Sequence, residues 1–191
     1  MKTYRLLTLL ILLFTVSLTA SKCKKDKTPD NPVEALPPET QTGANTFGCL
    51  INGKVFLPQG QLLSGPFLKC AYQYLNNTYS KGYFFQLSAS DESNSSDVFG
   101  VGIFTDSLAL TQGLFPLIDN QKGNAYGTYF RFNYPSSTTT YTKNNLPGIL
   151  TITKFDEINQ IVSGTFWFSV IKSPGDTIKV TDGRFDMQFT K

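Results

Sequence analysis

Phe47 to Phe56 reads FGCLINGKVF, and this stretch decides the fold. Phe47, Cys49 and Ile51 alternate with Gly48 and Leu50, the period of a pleated strand. Asn52-Gly53 follows, a dipeptide that readily takes positive φ at both centres of a type I′ turn. Lys54 to Leu57 then returns as a partner strand. The segment predicts a tight hairpin, and the chain beyond it repeats that logic. Leu68, Cys70, Tyr72 and Tyr74 alternate with Lys69, Ala71 and Gln73, and Asn76-Asn77 ends the run. Tyr83, Phe85, Leu87 and Ala89 alternate with Phe84, Gln86 and Ser88. Val98 to Phe104 is a further run. In the next, Tyr126, Thr128, Phe130, Phe132 and Tyr134 share one face, with Tyr129, Arg131 and Asn133 on the other. Ile149 to Phe155, Ile161 to Ile171, Thr177 to Thr181 and Arg184 to Phe189 complete the set.

Gly, Pro, Asn, Asp and Ser cluster between these runs, where turns need them. No helical period is sustained, and no long crossover is visible of the kind that parallel strands need. Short strands joined by hairpin-like turns predict an all-β body, an antiparallel β-sandwich. A closed or flattened lipocalin-like β-barrel fits the same pattern and is the alternative.

Ahead of this body the chain changes character. Lys2 and Arg5 form a positive start, Leu6 to Val16 is an apolar core, and small or polar residues follow to Lys22. This is the layout of a secretory signal peptide over residues 1–22, with a core too short for a stable spanning helix. Cys23 follows, and the arrangement resembles bacterial lipoproteins, whose signal ends at a cysteine that becomes lipidated. Lys22 and Ala20 stand where such signals usually carry a small residue and a Leu-like one. Cleavage after Ala20 or Ser21, leaving Cys23 a free thiol, is the other reading. Residues 24–45 carry Pro29, Pro32, Pro37 and Pro38 among polar residues with no apolar period, so residues 23–45 are expected to be a lipidated cysteine followed by a disordered, Pro-rich tether. The single β domain is expected to span residues 46–191.

Composition narrows the chemistry. With 40% apolar and 16% charged residues, the chain is not of the disordered class. It contains no histidine, which removes every Ser-His or Cys-His nucleophile pair and the commonest metal ligand. Setting aside Lys2, Arg5 and Lys22 leaves 14 of the 17 basic residues against 14 acidic ones. A neutral body carries no electrostatic footprint for nucleic acid.

The C-terminal third contains Gly148–Thr153 (GILTIT), Asp156, Ile161–Phe168 (IVSGTFWF) and Val180–Asp186 (VTDGRFD). With Phe47–Phe56 and Gly127-Thr128-Tyr129, these motifs resemble a large family of uncharacterised lipoproteins from Gram-negative bacteria. The resemblance implies an all-β extracytoplasmic domain, a place in the cell envelope as an outer-membrane lipoprotein facing the periplasm or the surface, and no catalytic residue to carry over.

Cys49 and Cys70 remain after Cys23, and an even pair in an oxidising compartment invites a disulfide, against two buried free thiols. Asp91, Glu92 and Asp97 in DESNSSD offer hard oxygens of the kind Ca²⁺ prefers, but the spacing does not fit an EF-hand, and a solvated hairpin loop is the plainer reading. No metal site and no cofactor is therefore expected. Paired carboxylates serve glycoside hydrolysis; Asp156-Glu157 lie at a turn, and Asp182 and Asp186 flank the final strand without a catalytic motif. Arg184 and Asp186 share a strand face and invite a weak pair. Phe166 and Phe168 point one way and Trp167 the other, so this strand is apolar on both faces. Trp167, Tyr126 and Tyr129, with Tyr141, are the candidate ligand-contact aromatics. The expected function is a lipid-anchored, non-enzymatic binding or structural role, its membrane contact made through the N-terminal lipid and its further partner a protein, a glycan or an apolar ligand. A carrier of an apolar small molecule is the second reading, distinguished by an enclosed cavity, and a carboxylate hydrolase the third.

Overall fold

The computed structural model describes residues 31–60, 67–146, 148–173 and 175–191. The strands, in chain order, are β1 (Thr46–Ile51), β2 (Lys54–Phe56), β3 (Gln59–Gly60), β4 (Leu68–Asn76), β5 (Lys81–Glu92) and β6 (Asp97–Thr105). They continue with β7 (Gly113–Leu117), β8 (Ala125–Asn133), β9 (Ser136–Tyr141), β10 (Gly148–Asp156), β11 (Ile161–Ser173) and β12 (Asp176–Gln188). Among the described residues the only helical element is a single 3-10 turn, Pro32–Ala35. All twelve strands belong to one sheet, in the order β2-β1-β12-β11-β10-β7-β8-β6-β5-β3, with β4 paired to β5 and β9 to β8.

The deciding hairpin forms as its sequence dictates. Asn52 and Gly53 take φ 50° and 76°, and Cys49, Leu50 and Ile51 pair with Phe56, Val55 and Lys54. The pairings between strands are antiparallel apart from two short contacts, and an isolated bridge from Ala71 to Thr190 is parallel as well. β3 runs parallel to β5 over Gln59 and Gly60, and β7 touches β8 in parallel at Leu117 and Ala125. Contacts this brief need no helical crossover, which is why the sequence shows none.

The sheet is one ribbon folded over on itself. Phe56 of β2 lies 5.7 Å from Phe99 of β6, and Tyr72 of β4 lies 5.0 Å from Phe155 of β10, ring to ring. These strands are far apart in the sheet order, so their inner faces must oppose each other. One continuous core results, filled by side chains such as Phe85, Leu87, Ile103, Leu150, Phe168 and Phe189. Each such burial contributes about 1.5–3 kcal/mol, which makes this core the main source of stability. The ladder remains open, but its ends approach: Thr190 donates from its N–H to the Cys70 carbonyl at 3.1 Å and accepts from the Tyr72 N–H at 2.8 Å. The all-β, sandwich-like body is thus built from a single curved sheet.

Several details differ from the sequence reading. Thr177–Thr181 and Arg184–Phe189 are one strand, β12, not two runs. Asp182-Gly183 resembles a turn but forms a bulge: Asp182 sits at φ 53°, and the register slips between Phe166 and Phe168 of β11 and between Gly48 and Leu50 of β1. Gly183 is required there, because a Cβ would stand 2.5 Å from the Phe166 ring.

The second difference concerns the Pro-rich segment. Residues 24–30 lie outside the described residues, but residues 31–45 are not a loose tether. They pack as a strap across the outer face of the sheet. Leu36 is buried, and Pro37 lies against Gly48, where a Cβ would come within 2.6 Å of it. Lys154 of β10 donates to the Gln41 carbonyl at 3.1 Å. The described body therefore includes residues 31–45 and does not start at Thr46.

The strap is seated on Asp186. This carboxylate has 0% exposure and accepts from Thr40 Oγ1 at 2.6 Å, the Gly43 N–H at 2.7 Å and the Thr42 N–H at 2.9 Å. Ser163 Oγ adds a bond at 2.8 Å from β11. Burial alone pushes such a carboxyl up, but these donors outweigh it and hold Asp186 well below the usual carboxylate range. The expected Arg184–Asp186 pair does not form; Arg184 Nε points to the Asp182 carbonyl at 3.4 Å.

Candidate functional site

Strand alternation places Asp91 of β5, Phe99 of β6 and Arg131 of β8 on the inner face of the sheet, and the register puts them side by side. Gln59 pairs with Asp91, Asp91 with Phe99, Phe99 with Arg131, and Arg131 with Thr138. One lateral row therefore crosses five strands at the end of the body where β5 and β8 finish and β6 begins. Tyr129 lies one pleat deeper, only 7% exposed. Facing this row stand Ile51, the β1–β2 turn, Lys172 near the end of β11 and Ile178 of β12. Between the two walls opens a cleft of about 600 Å³.

The cleft has two characters. Its floor is apolar, made by Ile51, Phe56, Phe99 and Ile178, with the exposed Val55 at its rim. Beyond Tyr129, Arg131 and Lys172 it continues into a polar recess of about 310 Å³, lined also by Asn133, Ser136 and Thr138. Phe56 and Phe99 meet at 5.7 Å and fix the floor. The rim is charged. Arg131 donates to Asp97 in a fork, Nε to Oδ1 at 2.7 Å and Nη2 to Oδ2 at 2.6 Å. That pair holds the Asp97 carboxyl below its ordinary range and raises the guanidinium further. Asp91 accepts from Gln59 Nε2 at 2.9 Å and from Ser93; burial opposes, yet these bonds keep its carboxyl low. Burial pushes the Tyr129 phenol up.

The opposite end of the body is closed. Tyr72, Phe155 and Phe189 pack ring against ring there, at 5.0 to 5.8 Å. The Leu110 N–H donates to the Tyr72 hydroxyl at 3.3 Å, and burial pushes that phenol up to about 12.

The candidate residues read from the sequence are scattered. Cys23 lies outside the described residues. Cys49 and Cys70 are both free thiols, not a disulfide. They sit on β1 and β4, which are not neighbours in the sheet, and each packs as a small hydrophobe in the core. Burial drives both thiols far above the ordinary cysteine range. The three expected aromatics occupy three different surfaces. Trp167 is 48% exposed on the outer face, beside Ile149. Tyr126 stacks on Phe104 at 5.4 Å on the outer face of β8, with Tyr141 at 6.1 Å. Tyr129 alone faces the cleft.

The carboxylates do not converge. Among the described residues no group of His, Cys, Asp and Glu is arranged to hold a metal ion. Asp97 belongs to Arg131, Asp91 to its hairpin and Gln59. Asp156 accepts from Asn159 and from the Ile158 N–H and closes its own turn, with its carboxyl held low chiefly by Asn159. Sequence reasoning passed over Phe56, Phe99, Arg131 and Lys172. One signal was available: Arg131 shares the face of Tyr129, and an arginine on the inner face of a strand needs an open end or a partner.

No protein-family model, curated protein or solved structure matches the chain.

Proposed function

We infer that the chain is a non-enzymatic binding domain of the cell envelope, anchored through a lipidated Cys23, and that the cleft at the open end is its binding site. The observation that carries the reading is the cleft itself: an aromatic floor and a charged rim, accessible from outside, whereas a second opening of about 650 Å³ beside β4 and the end of β12 has Lys69 as its one charged lining residue. A carrier that encloses its cargo needs an interior void. Here that space is taken by Phe85, Phe168 and Phe189 and their neighbours, so the weight falls on an open site. A hydrolytic carboxylate pair needs one acid with a raised pKa. Asp91, Asp97, Asp156 and Asp186 are all held low, which suits rim and seating roles.

The export reading rests on residues 1–22 and on Cys23, and the resemblance to envelope lipoproteins supports it. The strap sharpens its geometry. With Asn31 fixed to the body, the link from Cys23 spans at most about 29 Å at full extension, so an anchored domain stays near its bilayer.

Two measurements test this. Labelling of growing cells with an alkyne fatty acid is expected to mark the wild-type chain and not C23S; an unlabelled wild-type chain in the soluble fraction overturns the anchor. Nuclear magnetic resonance of the C23S chain titrated with envelope extract is expected to perturb Phe99, Tyr129 and Lys172. Perturbation confined to the surface around Trp167 overturns the site.

A further inference from the structure

The two halves of the cleft are chemically unlike, and the difference specifies a ligand. The larger half offers Phe56, Phe99 and Ile178 to an apolar body. The recess beyond Tyr129 offers hydroxyls and amides from Ser136, Thr138 and Asn133. Lys172 borders both halves, and Lys54 lies on the rim of the larger one.

The charges around the site are not balanced in function. Asp97 is fully engaged by Arg131 in a two-bond fork. Asp91 accepts from Gln59 and Ser93, so its oxygens are already served. Lys172 has only a loose partner, Asp176, at 3.7 Å and in solvent. Lys54 has no ion-pair partner among the described residues. Asp91 and Asp97 are thus occupied, while two ammonium groups, Lys54 and the loosely paired Lys172, are available to an incoming anion. Exposed ammonium groups add modest affinity but select sign.

We propose that the cleft takes an amphipathic anion, its apolar part on Phe56, Phe99 and Tyr129 and its acidic head at Lys172 and Lys54. The shared chemistry is an acidic head on an aliphatic or aromatic body; a free acid and a lipid both present it. This rests on the cleft being the binding site and adds the class of ligand.

The test uses the full chain carrying C23S, so that no attached lipid competes, and titration calorimetry with decanoate and with decyltrimethylammonium, which share a chain and differ in charge. Decanoate is expected to bind one to one and about tenfold more tightly than the cation, the sign difference summed over two exposed lysines. K54Q/K172Q is expected to erase that preference while both probes still bind. F99A, and V55S at the exposed rim as a variant that leaves the core intact, are expected to weaken both probes alike. A lysophosphatidic acid with the same chain separates the sources: tighter binding than decanoate marks a lipid headgroup, equal or weaker binding a free acid, and each supports the anion class. Equal affinity for the two charges, a preference for the cation, or binding abolished by W167A but not F99A overturns the proposal. So does failure of both probes to bind; if envelope extract still perturbs Tyr129, the site stands and only the ligand class falls.

Discussion

Two carboxylates on this molecule hold opposite positions. Asp186 lies under the strap with no solvent access, and its donors are neutral: hydroxyls of Thr40 and Ser163 and backbone N–H groups of Thr42 and Gly43. Asp97 lies at the open end, partly in water, and its partner is the charged fork of Arg131. Both carboxyls are held low, but the consequences differ. A covered charge that has lost its water must keep every donor, so it ties the strap, β11 and β12 together and acts on stability. An exposed ion pair is screened and adds little to stability, but it fixes where a guanidinium sits, so it acts on recognition. The strap seat is architecture, and the mouth rim is the working surface.

The largest test of that contrast is D186A. Removing the carboxylate leaves buried donors without an acceptor, at a cost of about 3 kcal/mol in denaturant unfolding. A loss no greater than that of a surface substitution would break the distinction. The acid limb sharpens it. The folded Asp186 carboxyl lies below its ordinary value, so its contribution is complete above about pH 4 and drains away as pH falls toward the folded value. Wild-type stability is therefore expected to drop from pH 5 to 3 by more than that of D186N.

A covered group at the closed end gives a smaller effect of opposite sign. Tyr72 keeps its proton up to about 12. Its stabilisation is complete below about pH 10, the ordinary phenol value, and is lost as pH rises from there to about 12. Y72F is expected to lack this portion of the alkaline fall; the raised thiols of Cys49 and Cys70 contribute equally to both chains and cancel in the comparison.

At the mouth, R131Q is expected to leave the melting temperature nearly unchanged while weakening cleft binding several-fold, and added salt is expected to narrow the difference. Smallest of all is W167A, on the open outer face: it is expected to change neither stability nor cleft binding by more than experimental error.

The sequence carried the local part of this structure well. Asn52-Gly53 needed nothing beyond its own neighbours to form its turn, and the alternation of Tyr129 and Arg131 against Phe130 and Phe132 was legible residue by residue. What escaped depends on distant partners. The strap reads as a linker because its prolines and polar residues carry no apolar period, and its seat is an aspartate at the far end of the chain. The β9 strand, SSTTTY, is mostly polar and is held chiefly by its pairing to β8. Asp182-Gly183 reads as a turn until its neighbours on β11 and β1 show a bulge. The cleft has no linear motif at all. Gln59, Asp91, Phe99, Arg131 and Thr138 come from five strands, and only register brings them into one row.

The central claim is that the open end, not the aromatic outer face, meets the partner. Photocrosslinking in living cells tests it most directly, with benzoylphenylalanine placed at Phe99 in one chain and at Ile149, beside Trp167, in another. An adduct from position 99 and none from 149 is the expected result. Adducts from 149 alone would contradict the account.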